Sequence, residues 1–314
     1  MTPRQLQQAL PRPLAFVFSG GANLGAVQAG MLLALREVGI APDLVVGSSV
    51  GALNAGLVAN HGLDRGTELL AKIWTGITRN DVFPGGVLSQ AWCLIRTRMN
   101  LFPNDRLAEL ICDWLTVETF EELQMPLGVM ATELISQRGM LFNCGPLRPA
   151  LLASTAIPGI YPSIEIDGIE YIDGGFTANV PLNAAVQLGA RAIVVLDVGS
   201  SCTPNHRPRH IADMLLTVIQ ASLRKRVLVE APAVAADVPV LYLPSPCMDH
   251  GQVLDFDSST ALMQEAEREA SAFLAACDIP KPGQMVGEPF FNLEELICTM
   301  NGEPVRMESG PFSP

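Results

Sequence analysis

Leu44-Val45-Val46-Gly47-Ser48-Ser49-Val50-Gly51-Ala52-Leu53-Asn54-Ala55-Gly56-Leu57-Val58 passes from an apolar run, through a glycine-flanked serine, into a small-residue helical pattern. The apolar run reads as a buried strand, and Gly47 to Gly51 satisfies Gly-x-Ser-x-Gly. Between a strand and a helix that pentapeptide is the setting of a nucleophile elbow. Its glycines, Gly47 and Gly51, permit a turn too tight for a Cβ, and the Ser49 oxygen is pushed out at the head of the helix. In a chain with 27 glycines the pentapeptide alone is a weak signal, because Gly/Ser loops commonly join strands to helices. The flanking strand and helix are what make Ser49 a candidate nucleophile.

Working outward, residues 14–18 form a second apolar run that ends in Ser19-Gly20-Gly21, a buried strand entering a glycine loop. Residues 24–38 carry a helical pattern that stops at Gly39. The second strand is predicted over 43–47 and its helix over 50–59. Strand, helix, strand, helix implies a parallel sheet covered by helices on both faces. Residues 64–125 read as mostly helical, with an irregular apolar and basic part over 82–103. A strand is predicted over 127–134, a short helix over 147–157 and a hairpin over 164–172 that turns at Asp167-Gly168. Then come a helix near 181–188, a strand over 192–198, a helix over 209–230, a strand over 238–243 and a helix over 259–277. With no repeat and no linker, one domain (13–279) is expected between an N-terminal extension (1–12) and a C-terminal one (280–314).

A chain of 314 residues, 49% hydrophobic and 17% charged, is globular and can bury a large core. Its formal charge of -12 argues against nucleic acid, which requires a basic footprint, and against whole-body attraction to anionic lipid. Arg207, Arg209, Arg224, Lys225 and Arg226 do cluster, but such clusters are usually solvated faces. The seven cysteines are scattered, with no Cys-x-x-Cys pair and no pairing with the four histidines. Free thiols in a reducing compartment are expected, with no zinc site or other metal. The N-terminus lacks a signal-peptide core and no apolar stretch reaches membrane-spanning length, so a cytoplasmic location is expected.

A serine hydroxyl at neutral pH needs a base, and an acyl-transfer intermediate needs donors aimed at its oxyanion. The glycine loop Gly20-Gly21-Ala22-Asn23-Leu24-Gly25 offers backbone amides at a helix start. A dinucleotide phosphate loop is the rival reading, but the spacing breaks Gly-x-Gly-x-x-Gly, and the second strand ends in a serine where a ribose-binding carboxylate is expected. For the base, Asp173 ends the returning hairpin strand, followed by Gly174 and Gly175, which leave its carboxylate uncrowded. The bland reading is a turn aspartate capping its own backbone. The competing base is His250, which follows the last strand as in a Ser-His-Asp esterase, with Asp197 as orienter. His61, His206 and His210 read as plain surface residues.

With these pieces in this order, the chain resembles the patatin-like phospholipases over about residues 13–277. That family reads Gly-Gly-Gly-x-Arg-Gly after the first strand, Gly-x-Ser-x-Gly after the second and Asp-Gly-Gly later. The counterparts are Gly20 to Gly25, Gly47 to Gly51 and Asp173 to Gly175, accompanied by Ser154 to Gly159, Asn179-Val180-Pro181 and Asp255-Phe256. The resemblance implies a three-layer α/β/α fold with a mostly parallel sheet, and a Ser-Asp dyad with no histidine and no cofactor. By that resemblance Ser49 attacks an acyl ester, Asp173 takes its proton, and the amides of Gly20, Gly21 and Ala22 cradle the oxyanion. Two positions depart from the family pattern: the third glycine is Ala22, and the usual basic position is Leu24.

An ester groove should be apolar, and the segment containing Val87, Leu88, Trp92, Leu94, Ile95, Met99, Leu101 and Phe102 reads equally as a lid or as a core-facing helix. As a lid, it would let Arg96 and Arg98 meet phosphate. The expected activity is hydrolysis of phospholipid, lysophospholipid or neutral acyl esters, with transient contact at a membrane surface and the oligomeric state left open. The alternatives are the His250 esterase and a degenerate module that binds lipid or a protein partner without catalysis.

Overall fold

β1 (Leu14–Phe18) and β2 (Leu44–Ser48) are buried at every position, which is why both read as continuous apolar runs without alternation. They pair in parallel, Ala15 opposite Leu44 through Phe18 opposite Gly47. The computed structural model describes residues 10–83, 93, 100–199, 211–246, 256–287, 298–300 and 303–305. The remaining strands of the main sheet are β3 (Leu127–Glu133), β4 (Gly139–Phe142), β5 (Ile164–Ile166), β6 (Ile169–Asp173), β7 (Ala192–Leu196), β8 (Val240–Tyr242) and β9 (Met285–Val286). Their order is β5-β6-β3-β2-β1-β7-β8-β9, with β4 also paired to β3. From β3 to β9 the sheet is parallel, whereas β4, β5 and β6 join it antiparallel.

Among the described residues, besides a single turn at Arg79–Val82, the helices are α1 (Gly25–Glu37), α2 (Val50–Gly76), α3 (Asp105–Trp114), α4 (Leu147–Ser154), α5 (Gly175–Ala178), α6 (Leu182–Gln187), α7 (Ile211–Ala235) and α8 (Ser259–Ala276). Leu14, Phe16 and Phe18 of β1 pack into one core with α1, α2 and α8. The alternate residues Ala15 and Val17 pack into a second core with α6 and α7. The period of two along a strand thus serves both faces, and the result is three layers, helices over sheet over helices.

Along α2, Gly62 (φ 74°, ψ 168°) is non-helical and separates two helical runs, one from Val50 that ends close to residue 59 as the sequence reads and one that continues to Gly76. β4 was not anticipated; it is a four-residue, exposed to half-buried edge strand, Gly139-Met140-Leu141-Phe142. The hairpin turn does fall at Asp167-Gly168, both in the left-handed region (φ 51° and 79°), as a two-residue turn requires.

The boundary residues pack on the same body. Leu10 belongs to the first core, and β9 extends the sheet beyond residue 279. Of the segment read as lid or core helix, residues 84–92 and 94–99 lie outside the described residues, including Arg96 and Arg98. At its end Phe102 is buried against Phe83 (ring centroids 5.3 Å apart), so there the core reading holds.

Candidate active site

β3 explains how two distant segments of the chain meet. Along one side it pairs with β2 over Leu127–Met130 and then with β6 over Ala131–Glu133, while β4 occupies its other side. β2 and β6 therefore run toward each other along the same side of β3. Their C-terminal ends, Ser48-Ser49 and Asp173, converge.

Ser49 sits at the head of α2 with φ 55° and ψ −131°, a region that a residue with a Cβ enters only under strain. The turn is closed by close approach. A Cβ on Gly47 would lie 2.3 Å from the Gly51 carbonyl oxygen, and one on Gly51 would lie 2.4 Å from the Ser19 carbonyl oxygen. Ser154, at the end of α4, locks the two halves together. Its Oγ accepts from the Ser49 N–H at 2.9 Å, and its carbonyl accepts from the Gly174 N–H at 3.2 Å. The sequence had offered Ser154 only as part of a recurring segment, with no role attached.

Asp173 is 5% exposed. Its N–H donates to the Ala156 carbonyl at 3.0 Å, and its carbonyl accepts from Thr132 Oγ1 at 2.9 Å. The carboxyl Oδ1 accepts from the Gly175 N–H at 2.7 Å. Burial pushes its pKa up to about 6, opposed by the Ser49 hydroxyl and the Gly175 amide. The Ser49 hydroxyl is close enough to lower the carboxyl's pKa, but no hydrogen bond of closed geometry joins them and Oδ2 has no partner. Contacts in unliganded sites are commonly this loose, tightening only around substrate.

The glycine loop lies against the same serine. A Cβ on Gly20 would fall 3.1 Å from Ser49 Cβ and 2.6 Å from Asn179 Oδ1. The loop's donors differ from expectation. The Gly20 N–H donates to the Asn179 carbonyl at 3.0 Å and is spent holding the fold, so Gly20 drops out as an oxyanion donor. Among the described residues, no acceptor takes the amides of Gly21 or Ala22. Ala22 has φ 51°, a conformation suited to the glycine usual at that position. Leu24 packs partly into the core, so its side chain serves the interior. Gly25 and Gly175 complete the loops as expected, and Gly174 must be glycine because a Cβ there would lie 2.2 Å from the Met130 carbonyl oxygen.

Of the histidine alternative, His250 lies outside the described residues. Asp197 has both oxygens engaged: Tyr242 donates its hydroxyl to Oδ2 at 2.5 Å and Gly199 its N–H to Oδ1 at 3.0 Å. His61 is tied to the Trp114 carbonyl at 2.9 Å. Among the described residues no group of His, Cys, Asp and Glu side chains could hold a metal ion.

A family model for patatin-like phospholipase matches residues 16–186, more than half of the chain and spanning the glycine loop, the serine elbow and the Asp-Gly-Gly turn. The chain belongs to the patatin-like phospholipase family. A patatin-like phospholipase domain-containing protein of Caenorhabditis elegans is 31% identical over 193 residues, 60% of this chain and 14% of its own length. An uncharacterised NTE family protein of Mycobacterium bovis is 27% identical over 195 residues, 61% of this chain and 50% of its own length. The chain therefore spans at most about half the length of these curated relatives. VipD from Legionella pneumophila shares the fold at 14% identity, with a TM-score of 0.50 over 85% of this chain and 67% of that one.

Proposed function

We propose that this patatin-like chain is a serine acyl hydrolase acting on lipid esters through Ser49 and Asp173. The observation that carries the reading is a serine with a strained backbone at the end of β2 and a buried carboxyl at the end of β6, at adjacent positions along β3, the carboxyl's pKa raised to about 6. An ordinary carboxylate is a weak base near neutrality, and raising its pKa makes it a better one while leaving it mostly ionised at pH 7.

Asp173 takes the proton from Ser49 Oγ as that oxygen attacks the ester carbonyl carbon. Negative charge moves to the carbonyl oxygen, where the amides of Gly21 and Ala22 stabilise it. A single well-placed donor of this kind is worth about 3–4 kcal/mol. The head of α2, with Val50 immediately after the nucleophile, adds the positive end of the helix dipole. Collapse of the intermediate breaks the ester C–O bond, and the leaving alcohol takes the proton from Asp173. Asp173 then deprotonates the water that attacks the acyl-enzyme, and the proton returns to Ser49. Candidate substrates are phospholipid, lysophospholipid and neutral acyl esters met at a lipid surface, with the scattered cysteines supporting a cytoplasmic setting.

The test is a p-nitrophenyl ester series across acyl lengths on wild type, Ser49→Ala, Asp173→Ala and His250→Ala. Turnover lost in the first two variants and kept in the third supports the dyad. A His250→Ala collapse to the Ser49→Ala level sinks it in favour of the histidine esterase. A wild-type chain that neither turns over esters nor labels at Ser49 with a fluorophosphonate is a binding module.

A further inference from the structure

The glycine loop is gripped at both ends by two buried amide side chains that also hold each other. Gln28, in the first turn of α1, is fully buried. Its Nε2 donates to the Ser19 carbonyl at 2.8 Å and to the Leu196 carbonyl at 3.0 Å. Those carbonyls stand just beyond β1 and at the end of β7, where the loop departs. Its Oε1 accepts from Asn54 Nδ2 at 2.7 Å. The same Asn54 nitrogen donates to the Gly25 carbonyl at 3.1 Å, at the other end of the loop. Asn54 Oδ1 accepts in turn from Trp74 Nε1 at 3.1 Å.

Asn54 stands on α2, the helix whose head is Ser49. The carbonyls flanking residues 20–24 are therefore held, through Gln28 and Asn54, from the element that carries the hydroxyl. The Ser19–Gly20 peptide is fixed from both sides, its carbonyl by Gln28 and its N–H by the Asn179 carbonyl. Because the Ser19, Leu196 and Gly25 acceptors are main-chain carbonyls, the two amides both satisfy buried backbone and fix where that backbone sits. A fully satisfied buried network fixes geometry, and here it fixes the loop that supplies the free amides.

We propose that Gln28, anchored by Asn54, is a positioning residue that sets the Gly21 and Ala22 amides relative to Ser49. This rests on the acyl hydrolase reading above. Gln28→Met keeps the bulk of the side chain and removes its hydrogen bonds; the double variant Gln28→Met/Asn54→Leu removes both polar groups together should the single one fail to fold. The expected result is a kcat lowered about 10- to 100-fold with KM within about threefold, because the lost interaction acts in the transition state. The pH profile keeps its shape, since Asp173 is untouched. In the cycle with Asn54→Leu, the double variant is no slower than the worse single one.

Val240→Ala, a core truncation in β8 on the other face of the sheet, supplies a comparably destabilised control whose kcat stays at the wild-type level below its unfolding temperature. Hydrogen exchange across residues 19–25 is expected to accelerate in Gln28→Met while β2 keeps its protection. A folded Gln28→Met enzyme with wild-type kcat, or with its loss confined to KM, overturns the inference. If the wild type has no Ser49-dependent turnover, the hydrolase reading fails by itself. Exchange over 19–25 then decides the positioning claim, and unchanged protection there overturns it.

Discussion

Ser49, Ala22 and Asp173 each hold an unfavourable state, and each makes a measurable demand. Ala22 adopts φ 51°, which costs a residue with a Cβ on the order of 1 kcal/mol or more. Ala22→Gly is expected to raise the melting temperature by up to a few degrees, partly offset by the freer unfolded chain, whereas Ala22→Val lowers it; calorimetry on both variants checks this. Asp173 must be ionised to act as a base, so kcat/KM should fall as pH drops through about 6, and a pH–rate profile measures it.

The same shift fixes the sign of a stability effect. A carboxyl whose folded pKa lies above its unfolded value of 3.8 opposes folding wherever it is ionised in both states. That cost is fully present above pH 6 and disappears as pH falls toward 4. Asp173→Asn keeps an oxygen for the Gly175 amide and removes the buried charge. Its melting temperature is expected to exceed wild type at pH 8, with the gain vanishing near pH 4, while activity is lost. Denaturation scans across that range test both signs.

At the scale of elements, the site depends on β2 and β6 meeting end to end along β3. That junction leaves no room behind Asp173: Gly174 lies so close to β3 that a Cβ would stand 2.2 Å from the Met130 backbone oxygen. Gly174→Ala is expected to push β6 off β3, costing several kcal/mol and abolishing turnover. A variant that melts like wild type and keeps its activity would contradict the geometry. Ser49 and its elbow were legible in the sequence because strand, tight turn and helix are consecutive, and each leaves a local signal in composition. Apart from the Asp-Gly-Gly resemblance, Asp173 was legible as the end of a hairpin strand and no more, since no periodicity states which strand end a hairpin meets. β4 escaped notice for a different reason: Met140-Leu141-Phe142 is apolar, but three residues are too short a run for periodicity to mark as a strand. The Gly20 amide was misread because its acceptor, the Asn179 carbonyl, is 159 positions away.

On the scale of the whole molecule, a formal charge of -12 repels anionic surfaces unless screened. Hydrolysis of esters in anionic vesicles is expected to rise between about 20 and 300 mM salt, as the Debye length shrinks from roughly 20 Å to below 10 Å. Hydrolysis of the same ester in neutral micelles should stay flat. Equal salt responses on both surfaces would mean that a local patch, not the overall field, governs docking. No helix among the described residues is long and apolar enough to cross a membrane.

The linear chain by itself determined the layered α/β class, the serine at a strand-to-helix turn and the glycine loop before it, because each is written in residues that are neighbours. Only the tertiary structure decided which amides stay free, which strand ends converge and what holds the loop in place. Those outcomes depend on hydrogen bonds and burial between segments more than a hundred residues apart, such as Ser49 with Ser154 and Gln28 with Leu196. Local composition carries no record of such pairings; folding creates them by bringing strand ends together on one edge of the sheet.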